Sequence, residues 1–380
     1  MAAAVVAAGS ADAQSAGATV VPGAAGPVVQ DEATLLGALR EDPADAGARL
    51  ALGRLYYETR RDRAAEFNIR QALASGLDRG GREAARALLA DLQRRRRWVF
   101  TADAALAPET TRVVTRTVTA GDGMPVTRSE TESSGIGIEA FADLEYRAPL
   151  GEDLRISVEG FAQTEQFAEE DFGRSRLVGF AGPLFLLDGD NRWSVRGLVE
   201  RSWDGGEPEF QGVGAEVSTR RTLTDRLRLF ARAQYRDLDY DSFDARDGQS
   251  VGVDADLGRF GLGGRFERVF GVAFRADTMA EDQSFWFYRA GVGAFRELPY
   301  AIGVYVQPSV AFQSFDGPGG TDTDAREDVE TDMLFRVSKR DWRVLSAAPF
   351  VSVEVSYRDS NIDRLDDTDT AFQAGFTRSF

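Results

Sequence analysis

Apolar and polar residues alternate through residues 98–380, and the connections that interrupt this alternation come in two lengths. Short connections such as residues 297–300 take turns with long, acidic ones such as residues 316–328. A chain that crosses one bilayer repeatedly as β-strands has this pattern, because short turns collect on one side and longer loops on the other. A soluble β-sandwich has no reason to sort its loops by length. This feature constrains the fold more than any other, and it predicts a transmembrane β-barrel.

Several segments predict one apolar and one polar face on each strand. In residues 226–236 leucine and alanine alternate with arginine, and in residues 351–358 valine alternates with serine, glutamate and arginine. An antiparallel sheet with one solvated face shows the same alternation. Burying charges in a sandwich core is costly, whereas a water-filled lumen solvates them. The charged residues predicted to face the lumen are Arg228, Arg232, Arg236, Glu354 and Arg358.

Aromatic residues separate the two possibilities, because they concentrate at predicted strand ends. Amphipathic aromatic side chains are typical of the two interfaces of a membrane. Near the short connections stand Trp98, Tyr146, Trp193, Phe270, Tyr300, Trp342 and Phe380. Near the long connections stand Phe167, Trp203, Tyr240, Trp286 and Phe315. We therefore predict an outer-membrane barrel in a Gram-negative bacterium.

The connections divide residues 98–380 into about 14 strands, an even number that returns both ends of the barrel to the same side. A different period, that of helices, occupies residues 31–97. The predicted fold is therefore α+β and multidomain, with a small helical module followed by an antiparallel transmembrane β-barrel. The short turns predict that this module lies in the periplasm.

Composition narrows the possible chemistry. The 45 basic and 61 acidic residues give a net charge of −16, which repels nucleic-acid phosphates and argues against a nucleic-acid partner. The chain has neither cysteine nor histidine, so thiolate nucleophiles, Ser-His-Asp triads and imidazole or thiolate metal sites are excluded. Carboxylate-pair hydrolysis stays formally open. We predict a protein that is not an enzyme and has no cofactor, catalytic residue or metal site.

The first 30 residues have the composition of a processed leader. Ala11, Asp12 and Ala13 fit a small-x-small cleavage pattern, while no basic region precedes them. We interpret residues 1–30 as a truncated export signal followed by a flexible leader. An alanine-rich leader without a signal function is the alternative.

The helical module has the spacing of one tetratricopeptide unit over residues 46–79. Small residues stand where paired helices approach each other, and a tyrosine fills the space between them. The predicted packing residues are Leu52, Gly53, Tyr56, Ala65, Ile69 and Ala72. Two positions depart from the pattern: Arg49 replaces a frequent aromatic, and Leu77 replaces a frequent proline. An ordinary amphipathic helical hairpin would show a similar apolar stripe.

The chain ends in phenylalanines at alternating positions. Phe372, Phe376 and Phe380 resemble the signal by which the outer-membrane assembly machinery recognises its substrates. Arg378 interrupts the row. An ordinary lipid-facing last strand with an interfacial phenylalanine would look the same, and the two interpretations are compatible.

The combination resembles the surface lipoprotein assembly modulator (Slam) family. It consists of a tetratricopeptide-like module, a first strand that opens near Trp98, about 14 strands and a closing hairpin that contains Asn361. The resemblance implies a non-enzymatic translocator or assembly factor that helps a lipoprotein, or a related secreted protein, to reach the cell surface. The implied partners are that client, a periplasmic chaperone, the barrel assembly machinery and outer-membrane lipid.

Two other functions share parts of this architecture. An exopolysaccharide export porin also joins tetratricopeptide repeats to a barrel, but it predicts a longer repeat array. A passive diffusion porin leaves the helices unexplained. A barrel hydrolase is a third class, and the missing histidine removes most of its chemistries.

Overall fold

The computed structural model describes residues 31–111, 116–119, 125–128, 133–167, 173–187, 191–241, 244–261, 265–318, 324–339, 341–342, 347–362 and 365–377. The helices are α1 Glu32–Glu41, α2 Ala46–Glu58, α3 Asp62–Ser75 and α4 Arg79–Arg95. The strands are β1 Trp98–Thr111, β2 Arg116–Thr119, β3 Pro125–Arg128, β4 Ser133–Pro149, β5 Leu154–Phe167, β6 Arg174–Leu186, β7 Arg192–Asp204, β8 Glu207–Thr222, β9 Leu227–Tyr240, β10 Gly248–Gly261, β11 Arg265–Thr278, β12 Phe285–Leu298, β13 Ile302–Pro318, β14 Ala325–Lys339, β15 Ala348–Ser360 and β16 Asp367–Thr377. The predicted leader, residues 1–30, lies outside the described residues.

Aspartates begin three of the four helices. Asp31, Asp45 and Asp78 each accept a hydrogen bond from a backbone N–H of the following first turn, which satisfies a donor that the helix itself leaves free. At the other end of α3, Gly76 has φ of +94°, a left-handed conformation that favours glycine and ends the helix. Local sequence chemistry thus fixes most of the helix boundaries. Among the described residues, no helix is long and apolar enough to cross a membrane.

The helices pack around one small core. The six residues predicted from the tetratricopeptide spacing are all buried there, and Ala65, Ile69 and Ala72 are completely inaccessible. α2 and α3 form an antiparallel hairpin flanked by α1 and α4. All six residues thus lie in the core of the module, and their role as tetratricopeptide packing residues stays a prediction.

Gly53 sets the distance between α2 and α3. A Cβ added to Gly53 would lie 2.6 Å from Ile69 Cγ1 and 3.2 Å from the Ile69 backbone nitrogen. We expect Gly53→Ala to destabilise the hairpin by about 1–3 kcal/mol, because a packed interface must separate to admit the methyl group. Hydrogen-exchange rates of the α2 and α3 amides in the full chain would measure this loss.

Gly37→Ala in α1 is the matched control, because nothing lies within 4 Å of a Cβ added there. This variant should exchange no faster than the wild type, since alanine is the better helix former. Equal exchange in both variants would show that Gly53 does not set the helix spacing.

Fourteen strands close into a single antiparallel barrel, in the order β1-β16-β15-β14-β13-β12-β11-β10-β9-β8-β7-β6-β5-β4. Every strand of the barrel pairs with its neighbour in sequence, and β1 closes the ring by pairing with β16. This confirms the predicted fold class and strand number. β2 and β3 form a separate two-stranded sheet within the connection from β1 to β4, which the sequence pattern did not predict.

The two faces of the strands follow the predicted alternation. Outward positions such as Val251, Val253 and Val351 are more than half exposed, and charged residues occupy the inward positions. Three of the predicted interfacial aromatics, however, lie on the inward face. Phe270 opposes Gly291 and stacks with Arg268, Tyr240 packs on Phe210, and Phe315 packs on Phe285. These residues lie near strand ends, as predicted. Successive side chains of a strand point to opposite faces, however, so an odd or even position along the strand decides whether a residue faces inward or outward.

Candidate functional site at the short-turn mouth

The helical module lies across the end of the barrel where the short turns are, which we call the short-turn mouth. α3 reaches both sides of this opening. Arg63 donates a hydrogen bond to Thr101 of β1, and Arg70 lies over the ring of Phe260 on β10, with 5.9 Å between its Cζ atom and the ring centroid. β1 and β10 are seven strands apart in a ring of 14 and are therefore diametrically opposite. The helix consequently bridges the mouth.

Glu66 is the electrostatic centre of this bridge. Its carboxylate lies 3.1 Å from Arg70 Nε, 3.2 Å from Arg96 Nη1 and 3.1 Å from Arg228 Nη1. The first two arginines belong to the module and the third to the barrel wall. Burial alone would raise the pKa of Glu66, but the surrounding arginines hold it well below its ordinary value. Glu66 is thus an anion that joins the module to β9.

Arg49 makes a second connection between the module and the barrel. Its side chain is 4 % exposed, and its Nη2 lies 2.9 Å from Glu297 Oε2 at the end of β12. Arg49 also donates to Asn68 Oδ1 at 3.2 Å and to the Pro43 carbonyl at 3.4 Å. Arg49 is the residue that departed from the tetratricopeptide pattern, and its contact with the barrel gives the departure a structural reason.

Two further contacts extend the interface. Gln71 Nε2 donates to the backbone carbonyl of Arg265 at 3.0 Å, and Arg86 Nη2 lies 2.9 Å from Asp225 Oδ1 in the turn before β9. The Arg86 pair is largely exposed and contributes little to stability. The buried contacts of Arg49, Glu66 and Gln71 therefore hold the module at the mouth.

Four consecutive arginines, Arg94 to Arg97, lie at the end of α4, and two of them contact other residues of the module. Arg95 lies 2.7 Å from Asp62 and stacks on Tyr57, while Arg96 pairs with Glu66. Arg94 and Arg97 are exposed. Two of the four arginines thus hold α4 against α3 immediately before the barrel begins.

A cavity of about 750 Å³ opens between the module and the short-turn rim, a volume typical of ligand sites. We call it the mouth cavity. Its walls are α1, α2, α3, the start of β1 and the turn between β12 and β13. The cavity therefore lies between the helical module and the rim at β1 and at the β12–β13 turn.

The predicted lumen residues all lie on the inward face, and most of them are ion-paired along the wall. Arg232 Nε lies 2.6 Å from Asp254 Oδ1, and Arg358 Nη2 lies 3.2 Å from Glu330 Oε2. Arg236 donates to Gln234 at 2.7 Å, and Arg228 is the partner of Glu66 described above. Glu354 shares the inward face of β15. No pattern in the sequence indicated that Arg228 contacts the module.

The lumen is lined by opposite charges on neighbouring strands. Arg196 contacts both Glu159 on β5 and Glu216 on β8, and Glu216 is completely buried. Arg289 on β12 contacts Glu330 and Asp332 on β14. These pairs join strands that are adjacent or next but one, so the charges compensate each other along the wall.

The junction of β1 with β16 is the weakest part of the barrel wall in the described residues. Within the described residues, which end at Thr377, four residue pairs join the two strands, from Asp103 with Thr377 to Leu106 with Ala374. By comparison, β1 pairs with β4 at 14 positions and β16 pairs with β15 at 11. Pro108, two residues beyond the last pair, has no N–H with which to extend the ladder. We call this junction the seam, and the first residues of its strand β1, Trp98 to Phe100, line the mouth cavity.

Two of the three residues predicted as an assembly signal are described. Phe372 and Phe376 lie on the outward face of β16 and are 52 % and 42 % exposed. Phe380 lies outside the described residues. Their recognition by the assembly machinery stays a prediction.

The residues that sequence reasoning missed are those between the module and the barrel: Glu66, Gln71, Glu297 and Arg265. Their partners are 162 or more positions apart in the chain. The single local signal was the unexpected arginine at position 49. Among the described residues no cluster could hold a metal ion.

A family model described as surface lipoprotein assembly modifier matches residues 130–380 of the chain. No curated protein matches it. The matched residues include every barrel strand from β4 to β16. The match agrees with the resemblance inferred from the sequence.

Solved structures similar to the chain include outer-membrane proteins. A bacterial polysaccharide outer membrane secretin has 9 % identity and a TM-score of 0.40, with 74 % of this chain and 98 % of that chain covered. A loop-deletion mutant of OmpT, an outer membrane protein of Vibrio cholerae, has 11 % identity and a TM-score of 0.38 over 74 % and 98 %. OprD of Pseudomonas aeruginosa has 6 % identity and a TM-score of 0.36 over 74 % and 94 %.

Proposed function

Because the chain belongs to the surface lipoprotein assembly modifier family, we propose that it helps lipoproteins, or related secreted proteins, to cross the outer membrane and reach the cell surface. The protein is an outer-membrane β-barrel with a general role in surface lipoprotein assembly. Families of this kind are not enzymes. The proposal goes further in naming delivery across the membrane as the specific step.

The orientation follows from the loop lengths. Short turns face the periplasm in outer-membrane barrels, and the helical module lies at the short-turn mouth. We therefore place the module in the periplasm, where it would meet the client before the barrel does. A periplasmic chaperone is a further proposed partner there, and the barrel assembly machinery is the proposed recogniser of Phe372, Phe376 and Phe380.

The observation that carries the proposal is the seam together with the mouth cavity. Backbone groups in a membrane must be paired, so opening a barrel wall costs least where the fewest pairs break. Counted over the described residues, the four paired positions at the seam against 11 or more at the two neighbouring junctions support opening at the seam. A client held in the mouth cavity would be adjacent to it.

The two alternative porin functions fit less well. A passive diffusion porin requires an unobstructed lumen, whereas α3 bridges the mouth through Arg63 and Arg70. An exopolysaccharide export porin would be expected to carry a longer repeat array than the single hairpin α2–α3. No observation favours either over delivery of lipoproteins.

Surface labelling of a lipoprotein encoded beside this chain tests the proposed function. Cells that lack the chain should show little of the lipoprotein on the surface and retain it inside, and the wild-type chain should restore it. The total amount of lipoprotein should stay unchanged, because delivery and not synthesis is affected.

Single-channel conductance in planar bilayers provides the second measurement. The purified full chain should be closed or open only briefly, because α3 lies across the mouth. A large and constantly open pore, combined with unchanged surface exposure of every neighbouring lipoprotein, would replace the proposal with a diffusion porin.

A further inference from the structure

We propose that the mouth cavity binds an extended acidic segment of the client polypeptide, one that also carries an apolar side chain. This inference rests on the proposed function for the identity of the partner. The chemistry of the segment comes from the cavity itself, and the binding experiment below is independent of delivery.

The first argument is the charge of the cavity walls. The lining contains arginines at positions 40, 49, 60, 61, 63 and 96 and acids at positions 32, 62, 297 and 341. Each acid already has a basic partner within the protein. These pairs are Arg61 with Glu32 at 2.7 Å, Arg95 with Asp62 at 2.7 Å, Arg49 with Glu297 at 2.9 Å and Lys339 with Asp341 at 2.6 Å.

Two arginines of the lining are left over by this pairing. Within the part of the chain that the structure describes, Arg40 and Arg60 have no ion-pair partner, and both are exposed. The cavity therefore has an excess of positive charge although the whole chain carries a net charge of −16. A carboxylate-bearing ligand would be attracted to it, and a basic one repelled.

The second argument is the apolar part of the lining. Leu36, Leu39, Trp98, Leu298 and Tyr300 contribute to the same walls. Trp98 is 61 % exposed and Tyr300 75 % exposed, so both rings are available for contact. Walls of this composition can accept an apolar side chain beside a carboxylate. A free inorganic anion has no apolar group to contact them.

The third argument is the position of the cavity. Trp98 packs on Tyr146 at a centroid distance of 4.5 Å, and this aromatic pair belongs to the band expected at a membrane interface. A polypeptide anchored in the adjacent leaflet by acyl chains therefore begins at the height of the cavity. The segment next to the anchor of a lipoprotein can enter without leaving the membrane surface.

Binding of synthetic peptides to the full chain in phosphatidylcholine nanodiscs tests the proposal. The probe is a fluorescein-labelled peptide of Asp, Glu, Leu and Gly, and the reference peptide has Asn and Gln in place of the acids. Fluorescence anisotropy should show tighter binding of the acidic peptide, with an affinity that falls as salt increases. The double variant Arg40→Gln with Arg60→Gln should weaken binding about tenfold, since each lost charge pair is worth up to about 1 kcal/mol.

The matched control is Arg79→Gln, which removes an arginine of the same module that is 90 % exposed and lies outside the cavity. It should leave peptide binding unchanged. Equal binding of the acidic and the amide peptide, or equal loss in the control and the double variant, would overturn the proposal.

Two arms distinguish other occupants. Tighter binding after removal of residues 1–30 would mean that the chain's own leader fills the cavity. Displacement of the peptide by soluble glycerol phosphate in phosphatidylcholine nanodiscs, at a concentration at which chloride has no effect, would assign the cavity to a lipid headgroup. Either result would overturn the client segment as occupant, while the surface-labelling experiment would still decide the proposed function.

Discussion

Cysteines introduced by Leu106→Cys and Ala374→Cys are expected to form a disulfide that stops delivery of lipoproteins to the surface. The two positions are directly paired across the seam and both face outward. Directly opposed residues of antiparallel strands have Cβ atoms about 4.5–5.5 Å apart, within reach of a disulfide after a small adjustment. Since the chain has no other cysteine, no competing bridge can form. Surface labelling of the client under oxidising conditions should fall to the level of cells without the chain, and a membrane-permeant reductant should restore it.

The control locks a junction that is fully paired. Leu257→Cys with Val269→Cys joins directly opposed, outward positions of β10 and β11, whose ladder runs the whole length of both strands. This disulfide should leave delivery intact, because the proposed route does not open there. Normal delivery through a fully oxidised seam would exclude lateral opening between β1 and β16 and would direct attention to the lumen.

Replacing Glu66 by alanine is expected to release the helical module from the mouth. The substitution leaves Arg70, Arg96 and Arg228 close together without their shared anion, and breaking a buried ion pair from one side costs about 3–5 kcal/mol. The ratio of docked to undocked module should therefore fall by roughly two to four orders of magnitude. Spin labels attached through Gly80→Cys and Leu223→Cys would report a single narrow distance in the wild type and a broad distribution in the variant.

Three comparisons distinguish release of the module from unfolding. The helical circular dichroism of Glu66→Ala should be retained if the module has only undocked. Arg228→Gln removes only the barrel partner of Glu66. It should also broaden the distribution of distances between the spin labels. Glu83→Gln breaks an exposed ion pair with Arg79 within α4. It should leave the distribution of spin-label distances narrow. A narrow distribution of spin-label distances in Glu66→Ala would mean that Glu66 does not hold the module at the mouth.

Prediction succeeded where the signal is local. Period-2 alternation identified the strands because successive side chains must point to opposite faces, and it placed Arg228, Arg232 and Arg236 on one side of β9. Helical spacing placed Leu52 with Tyr56 on one face of α2 and Ala65 with Ile69 on one face of α3, since i and i+4 neighbours share a face, and all four are buried. The aromatic residues show the limit of such reasoning. They were assigned to the membrane interfaces because they lie near strand ends, without asking whether each position faces inward or outward.

Local periodicity along short stretches of chain was enough to predict the barrel, about 14 strands and the helical hairpin, and the resemblance to the family rested on that combination. The folded chain was needed to show that α3 bridges the mouth, that Arg228 pairs with Glu66 and that four described residue pairs join β1 to β16. These features depend on residues far apart in the chain. A local pattern specifies which face a side chain occupies, but the partner on that face is chosen by the closure of the whole ring and by the helices that pack against it.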